Sequence, residues 1–243
     1  MIIDNININY NYINNNSKKT IVLLHGWGQN TIMMEPIEKY FQNKVNVLNI
    51  DLPGFGKSDE PKEVCGVEDY ADIVYKLIEK LKLKNLTVVG HSFGGRVAIV
   101  YAAKYNIDNL VLCSAPFLKR ISKENLKVKM LKSAKKIPGI KRLESFVKKR
   151  IGSVDYRNAS ELRRKILVET VNQDLTEFVK KINCPTILIY GLLDTDVPLE
   201  EGKQLESIID DAYFVEYPGT HYAYYEDINR TNKIIENLIG EEE

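Results

Sequence analysis

The sequence predicts an α/β protein built on a mostly parallel sheet, and three observations carry that prediction. Apolar runs such as Thr20–Leu24 (TIVLL) and Val45–Ile50, and the run around Leu86, Val88 and Val89, have the composition of strands covered on both faces. Segments with apolar residues at helical spacing lie between them, as in Val67, Tyr70, Ala71, Val74, Leu77, Ile78 and Leu81. Turn-rich loops follow the strands, where ligands meet an open α/β sheet. With 243 residues the chain can bury one large core.

Taken in order, Ile6, Ile8, Tyr10 and Tyr12 alternate with asparagines and predict an edge hairpin over the first dozen residues. Asn14–Lys19 reads as a loop, and Thr20–Leu24 as a buried strand ending in His25-Gly26-Trp27-Gly28. Met33–Phe41 predicts a short helix. Val45–Ile50 predicts a strand running into the turn-rich Asp51–Asp59, and Val67–Leu83 a helix. Leu86–Arg96 (LTVVGHSFGGR) reads as strand, sharp turn, and a helix from Gly95 onward, with Leu110–Cys113 as the next strand.

The pattern changes at Phe117. A helix capped by Ser122 would turn Leu126, Met130, Leu131 and Ala134 inward, and Pro138-Gly139 would end it. Ile140, Leu143, Phe146, Val147 and Ile151 form a second stripe, Ser160 caps a third helix through Val171, and Leu175–Ile182 predicts a fourth. Strand logic resumes with Thr186–Tyr190, then a helix over Leu199–Ile209, a strand over Tyr213–Tyr217 and a helix over Asp227–Ile239. Residues 1–116 and 183–243 are therefore expected to form the core domain, with 117–182 inserted as a helical cap.

Composition narrows the class. The formal net charge is +1, so the total implies no acidic partner. The start has no basic region followed by an apolar run, and no stretch of about 18 apolar residues occurs. Cys65, Cys113 and Cys184 lack metal-like spacing, which suits a reduced, cytoplasmic protein. From Phe117 to Arg150, 13 basic residues stand against 2 acidic ones. The favoured reading is a solvated outer face carrying Lys129, Lys132, Lys135 and Lys136. An anionic small-molecule substrate, or membrane-surface contact through the basic cap, is the sharper alternative. No nucleic acid is expected, because stacking aromatics are not interleaved.

The chemistry centres on Gly90-His91-Ser92-Phe93-Gly94. A G-x-S-x-G between strand and helix pushes its serine above the sheet, and its glycines clear the turn. A serine hydroxyl needs a base. Of the three histidines, His25 lies in the first-strand loop and His91 faces away within the turn. That leaves His221, in the loop Pro218–Tyr222 after the last strand. Asp194, in Gly191–Pro198, is the preferred acid to orient it, with Asp196 as fallback. The order Ser92, Asp194, His221 fits this elbow. The Phe93 amide and, most plausibly, the Trp27 amide would form an oxyanion hole; Trp27 could also wall the pocket.

LLHGWG, DLPGFGKSD, GHSFGG, GLLDTDVP and GTHY, in that order, resemble the α/β-hydrolase family in its capped single-domain serine hydrolase branch. The resemblance covers nearly the whole chain outside the insertion. It implies an eight-stranded, mostly parallel sheet flanked by helices, with the helical cap after the sixth strand. It also implies Ser92 as nucleophile, Asp194 as acid, His221 as base, Trp27 and Phe93 as oxyanion donors, and no cofactor or metal. The tyrosine-rich Tyr222–Asp227 departs from the family's usual sequence after the histidine. The leading expectation is a carboxylesterase on a small or medium acyl ester. The alternatives are a lyase or C–C bond hydrolase acting on an anionic metabolite, and a non-catalytic ligand-binding protein on the same scaffold.

Overall fold

A computed structural model of the chain describes residues 1–119 and 160–240. The chain divides into two compact units, residues 1–62, 67–118 and 174–243 in one, and residues 63–66 and 119–173 in the other.

Among the described residues of the first unit, seven strands form one sheet: β3 (Tyr10–Ile13), β4 (Thr20–Leu24), β5 (Asn46–Ile50), β6 (Leu86–His91), β7 (Asn109–Cys113), β8 (Thr186–Gly191) and β9 (Ala212–Tyr217). Their order is β3-β5-β4-β6-β7-β8-β9. Only β3 pairs antiparallel, with β5; the other pairs are parallel. The chain passes from β4 to β5 on one side, then crosses to β6 on the other. The carboxyl ends of β4 and β6 thus flank the crevice where a doubly wound sheet binds its ligand.

Among the described residues that is one strand fewer than the eight expected. The first residues instead form a separate hairpin, β1 (Ile2–Ile3) with β2 (Ile6–Asn7). Asp4 and Asn5 take φ of 47° and 62°, the two-residue turn that joins short antiparallel strands. That turn spends the first half of the alternating pattern, so the edge strand begins only at Tyr10. The chain leaves the sheet toward residue 119 after β7, the fifth of the described sheet strands.

β4 to β6 and β8 are buried along their whole length, and β7 nearly so, as their apolar runs require. One face is covered by a 3₁₀ turn (Thr31–Met34), α1 (Glu35–Phe41), and the late helices α7 (Ala223–Glu226) and α8 (Ile228–Ile239). Met34, Ile37, Phe41, Tyr224 and Ile235 close there over Leu23, Val89, Val111 and Ile189. Each such side chain contributes roughly 1.5–3 kcal/mol by leaving water. α2 (Val67–Leu81) and α3 (Phe93–Lys104) pack against each other, with α3 lying on β6. Cys113 is buried within the apolar cluster of Leu23 and Val111, and Cys184 is buried as well.

The segment that follows β7 begins from a fixed point. The Phe117 and Leu118 amides donate to the buried Glu201 carboxylate at 2.8 and 3.0 Å, and Arg96 Nη1 donates to the Pro116 carbonyl at 2.9 Å. Leu175 N–H returns to the Phe117 carbonyl at 2.9 Å, just before α5 (Thr176–Val179). Glu201 itself belongs to α6 (Leu199–Ile208). In the second unit, α4 (Glu161–Asn172) starts where the sequence predicts, and the Ser160 hydroxyl accepts from Arg163 N–H at 3.0 Å. The expected helices around Leu126 and Ile140, with the lysines at 129, 132, 135 and 136, lie outside the described residues. Among the described residues no helix is long and apolar enough to cross a membrane.

Candidate active site

Ser92 crosses the turn between β6 and α3 at φ 50°, ψ −111°, a conformation that strains any residue with a Cβ. Its amide donates to the Cys113 carbonyl at 2.9 Å, and its carbonyl accepts from Arg96 N–H at 3.1 Å. The flanking glycines permit this. A Cβ on Gly90 would stand 2.5 Å from the Gly94 carbonyl oxygen, and one on Gly94 would run into the Leu24 carbonyl. The helix opens at Phe93, two residues earlier than the sequence suggests, because the strained serine already turns the next amides along the helix axis. As the first helical residue, Phe93 has no carbonyl four residues back in its helix to receive its N–H.

The loop after β4 lies beside this turn. His25 is fully buried; its Nδ1 donates to the Gly26 carbonyl at 2.7 Å, while Nε2 accepts from Leu52 N–H at 3.0 Å. The neutral Nδ1–H tautomer satisfies both bonds. Burial pushes its pKa down to about 4, against the opposing pull of the Gly26 bond and Asp51. The same loop is braced by Gln29, whose Oε1 accepts from Gly26 N–H at 2.9 Å. The Trp27 ring meets Phe55 and Phe93 edge-on at 4.9 and 5.2 Å. The two residues expected to supply oxyanion amides are therefore in contact.

The loops after β8 and β9 bring the expected acid and base together. Asp194 Oδ2 and His221 Nδ1 are 2.8 Å apart. The Asp194 side chain is wholly withdrawn from solvent, while that of His221 remains 13% exposed. Asp194 Oδ1 accepts from the Asp196 and Val197 amides at 2.8 and 2.9 Å. Burial works to raise the Asp194 pKa, but the His221 bond, these two amides and the imidazole's charge together hold it below the ordinary carboxylate range. The fallback acid, Asp196, is exposed and supplies an amide to Asp194. Asp194, Asp196 and His221 offer ligand-type atoms within 4.8 Å of one another, a spacing a cation would accept. The bond between Asp194 and His221 already uses the facing pair.

Ser92 and His221 are connected one residue away. His91 Nε2 lies 3.0 Å from the His221 carbonyl oxygen, and the two rings are 5.0 Å apart. Among the described residues no hydrogen bond joins Ser92 Oγ to the imidazole.

Three further residues shape the site, and of these only Gly191 lies in a quoted motif, GLLDTDVP. Gln29 braces the first loop. Glu226 accepts from Thr220 N–H at 2.8 Å and from the Thr220 hydroxyl, fixing the residue before His221. Gly191 lets the two loops close: a Cβ there would collide with the carbonyls of Gly219 and Thr220. The glutamate lies in the tyrosine-rich stretch, where only its position five residues after the histidine hinted at a role.

The similarities of the chain to known proteins agree with this fold. The family described as "alpha/beta hydrolase fold" matches residues 19–133. The uncharacterized hydrolase YugF of Bacillus subtilis is 26% identical over 231 residues, covering 84% of each chain. A 2-hydroxy-6-oxononadienedioate/2-hydroxy-6-oxononatrienedioate hydrolase of Pseudomonas putida is 25% identical over 264 residues, 95% of this chain and 90% of that one. The crystal structure of the enol-lactonase from Burkholderia xenovorans LB400 superposes with a TM-score of 0.77 at 22% identity, covering 98% of both chains.

Proposed function

Since this chain belongs to the α/β-hydrolase family and is a hydrolase, we propose that it cleaves carboxylic esters of small or medium acyl groups through an acyl-enzyme on Ser92. Ser92 Oγ attacks the ester carbonyl as His221 Nε2 takes its proton. Asp194, hydrogen-bonded to Nδ1, orients the ring and stabilises its cation. The Phe93 and Trp27 amides donate to the tetrahedral oxyanion. The intermediate collapses, the C–O bond to the alcohol breaks, and His221 returns the proton to the leaving alkoxide. Water then attacks the acyl-serine with His221 as base, releasing the acid and restoring the hydroxyl.

The observation that carries this reading is the Asp194–His221 hydrogen bond at 2.8 Å, made at the strand ends beside the strained serine turn. One oxygen of this carboxylate holds the Asp196 and Val197 amides of its own loop, and the other is committed to the imidazole. The enol-lactonase named above is, as its name says, an enzyme of a lactone, a cyclic ester. The Pseudomonas putida relative is named for dicarboxylate substrates. That name and the basic stretch after Phe117 favour an anionic-substrate C–C hydrolase as the competing reading.

A panel of p-nitrophenyl esters of graded chain length tests the proposal, with Ser92→Ala expected to remove at least about 10⁴-fold of the turnover. Turnover that survives Ser92→Ala would overturn the mechanism. Folded protein that a fluorophosphonate leaves unlabelled would point to the binding-protein alternative. Cleavage of a vinylogous 1,5-diketone acid in preference to every ester would establish the C–C reading.

A further inference from the structure

We infer that His91, the residue before the proposed nucleophile, is a positioning residue that sets the height of the His221 loop over the serine turn. The inference rests on the Ser92–Asp194–His221 reading above and adds a member to that site.

His91 is fully buried at the end of β6. Its Nε2 faces the His221 carbonyl oxygen at 3.0 Å, and a carbonyl only accepts, so Nε2 carries the proton and donates. Its Nδ1 faces Gln29 Oε1 at 3.3 Å. That oxygen already accepts from Gly26 N–H. Burial, reinforced by the charge of His221, pushes the His91 pKa to about 3, so the ring is neutral and Nδ1 offers only a lone pair. Two acceptors therefore face each other on the Gln29 side. That contact is a close polar packing contact, and the true hydrogen bond is the one to His221.

This single bond runs from the residue next to the serine to the main chain of the base itself. The Asp194 link fixes the imidazole's tautomer and direction, and Leu193 N–H and Glu226 hold the residues before His221, but none of these contacts reaches the serine turn. The His91 link supplies the second fixed point. Rings from the base loop and α7 hold His91 on one side: His221, Tyr222 and Tyr224, at 5.0, 5.4 and 4.7 Å. On the other side the oxyanion loop abuts it so closely that a Cβ on Gly26 would lie 2.8 Å from Nδ1. One neutral ring thus spans the oxyanion loop, the serine turn and the base loop.

Two variants separate positioning from packing. His91→Phe keeps the ring's volume and removes the donor; His91→Gln keeps an N–H near the place of Nε2. We expect His91→Phe to lower kcat by about tenfold or more with KM changed less than about twofold, and His91→Gln to recover most of the loss. The low-field NMR signal of the His221 Nδ1 proton should broaden or move in His91→Phe and return in His91→Gln. Wild-type kcat and an unmoved proton signal in His91→Phe would overturn the inference. Equal losses in both variants, tracking their melting temperatures, would overturn it too. Full activity in Ser92→Ala would instead bring down the nucleophile reading, while the NMR arm still tests the His91–His221 link.

Discussion

Gly191 lies against the Gly219 carbonyl with no room between them for a methyl group. This contact brings the loop carrying Asp194 onto the loop carrying His221. Leu193 N–H, from the first loop, also donates to the Gly219 carbonyl at 2.8 Å. Gly191→Ala should therefore part the two loops. We expect a loss of about 1–3 kcal/mol in urea unfolding from overpacking, together with a drop in kcat larger than any change in KM. A variant as stable and active as wild type would show that the loops yield without cost.

Asp194→Asn should keep the fold and nearly abolish turnover. The amide that replaces the carboxylate cannot stabilise an imidazolium and can present an N–H to Nδ1, selecting the wrong tautomer. A fall in kcat of about 10⁴-fold is the order seen when this role is removed elsewhere. Steady-state kinetics on a p-nitrophenyl ester checks it, and Asp196→Asn, altering an exposed side chain, should lose far less.

Stability should fall on mild acidification. The unfolded chain protonates His25 and His91 near the ordinary 6.5, whereas the folded chain does so only near 4 and 3. Between those values the unfolded state binds more protons, so acid favours it. At pH 5 each histidine should cost about 2 kcal/mol relative to neutral pH. Asp194, whose folded pKa is depressed, contributes stability above the carboxylate range and loses it only as pH falls through its lowered folded value, so it adds nothing to this window. Urea midpoints at pH 7.5 and 5.0 test the prediction; identical midpoints would refute it.

Glu226→Gln should loosen the turn before His221. The Thr220 amide would exchange a charged acceptor for a neutral one. We expect a few-fold loss of kcat and about 1 kcal/mol of stability, with faster hydrogen exchange at Thr220. Unchanged exchange at that amide would mean the carboxylate is dispensable there.

Much of the architecture was legible from periodicity alone. Thr20–Leu24 and the run around Leu86, Val88 and Val89 read as buried strands because they are almost wholly apolar, and Ser160 reads as a cap because its hydroxyl precedes a run of helical spacing. The first dozen residues misled because alternation reports a two-faced strand without saying which partner it pairs with. The turn at Asp4 and Asn5 diverts half of that pattern into a separate hairpin, and the sheet has seven described strands where eight were expected.

Local sequence by itself determined the strained turn at Ser92, since Gly90 and Gly94 are the residues such a turn demands wherever it occurs. It also ranked Asp194 above Asp196 and left His221 as the available base. Only the tertiary structure decided which carboxylate meets which nitrogen, that Gly191 admits the contact, and that His91, Gln29 and Glu226 hold the loops in place. These are contacts between segments as many as 130 residues apart. Their geometry depends on how parallel strands stack their ends, and chain spacing carries no record of it.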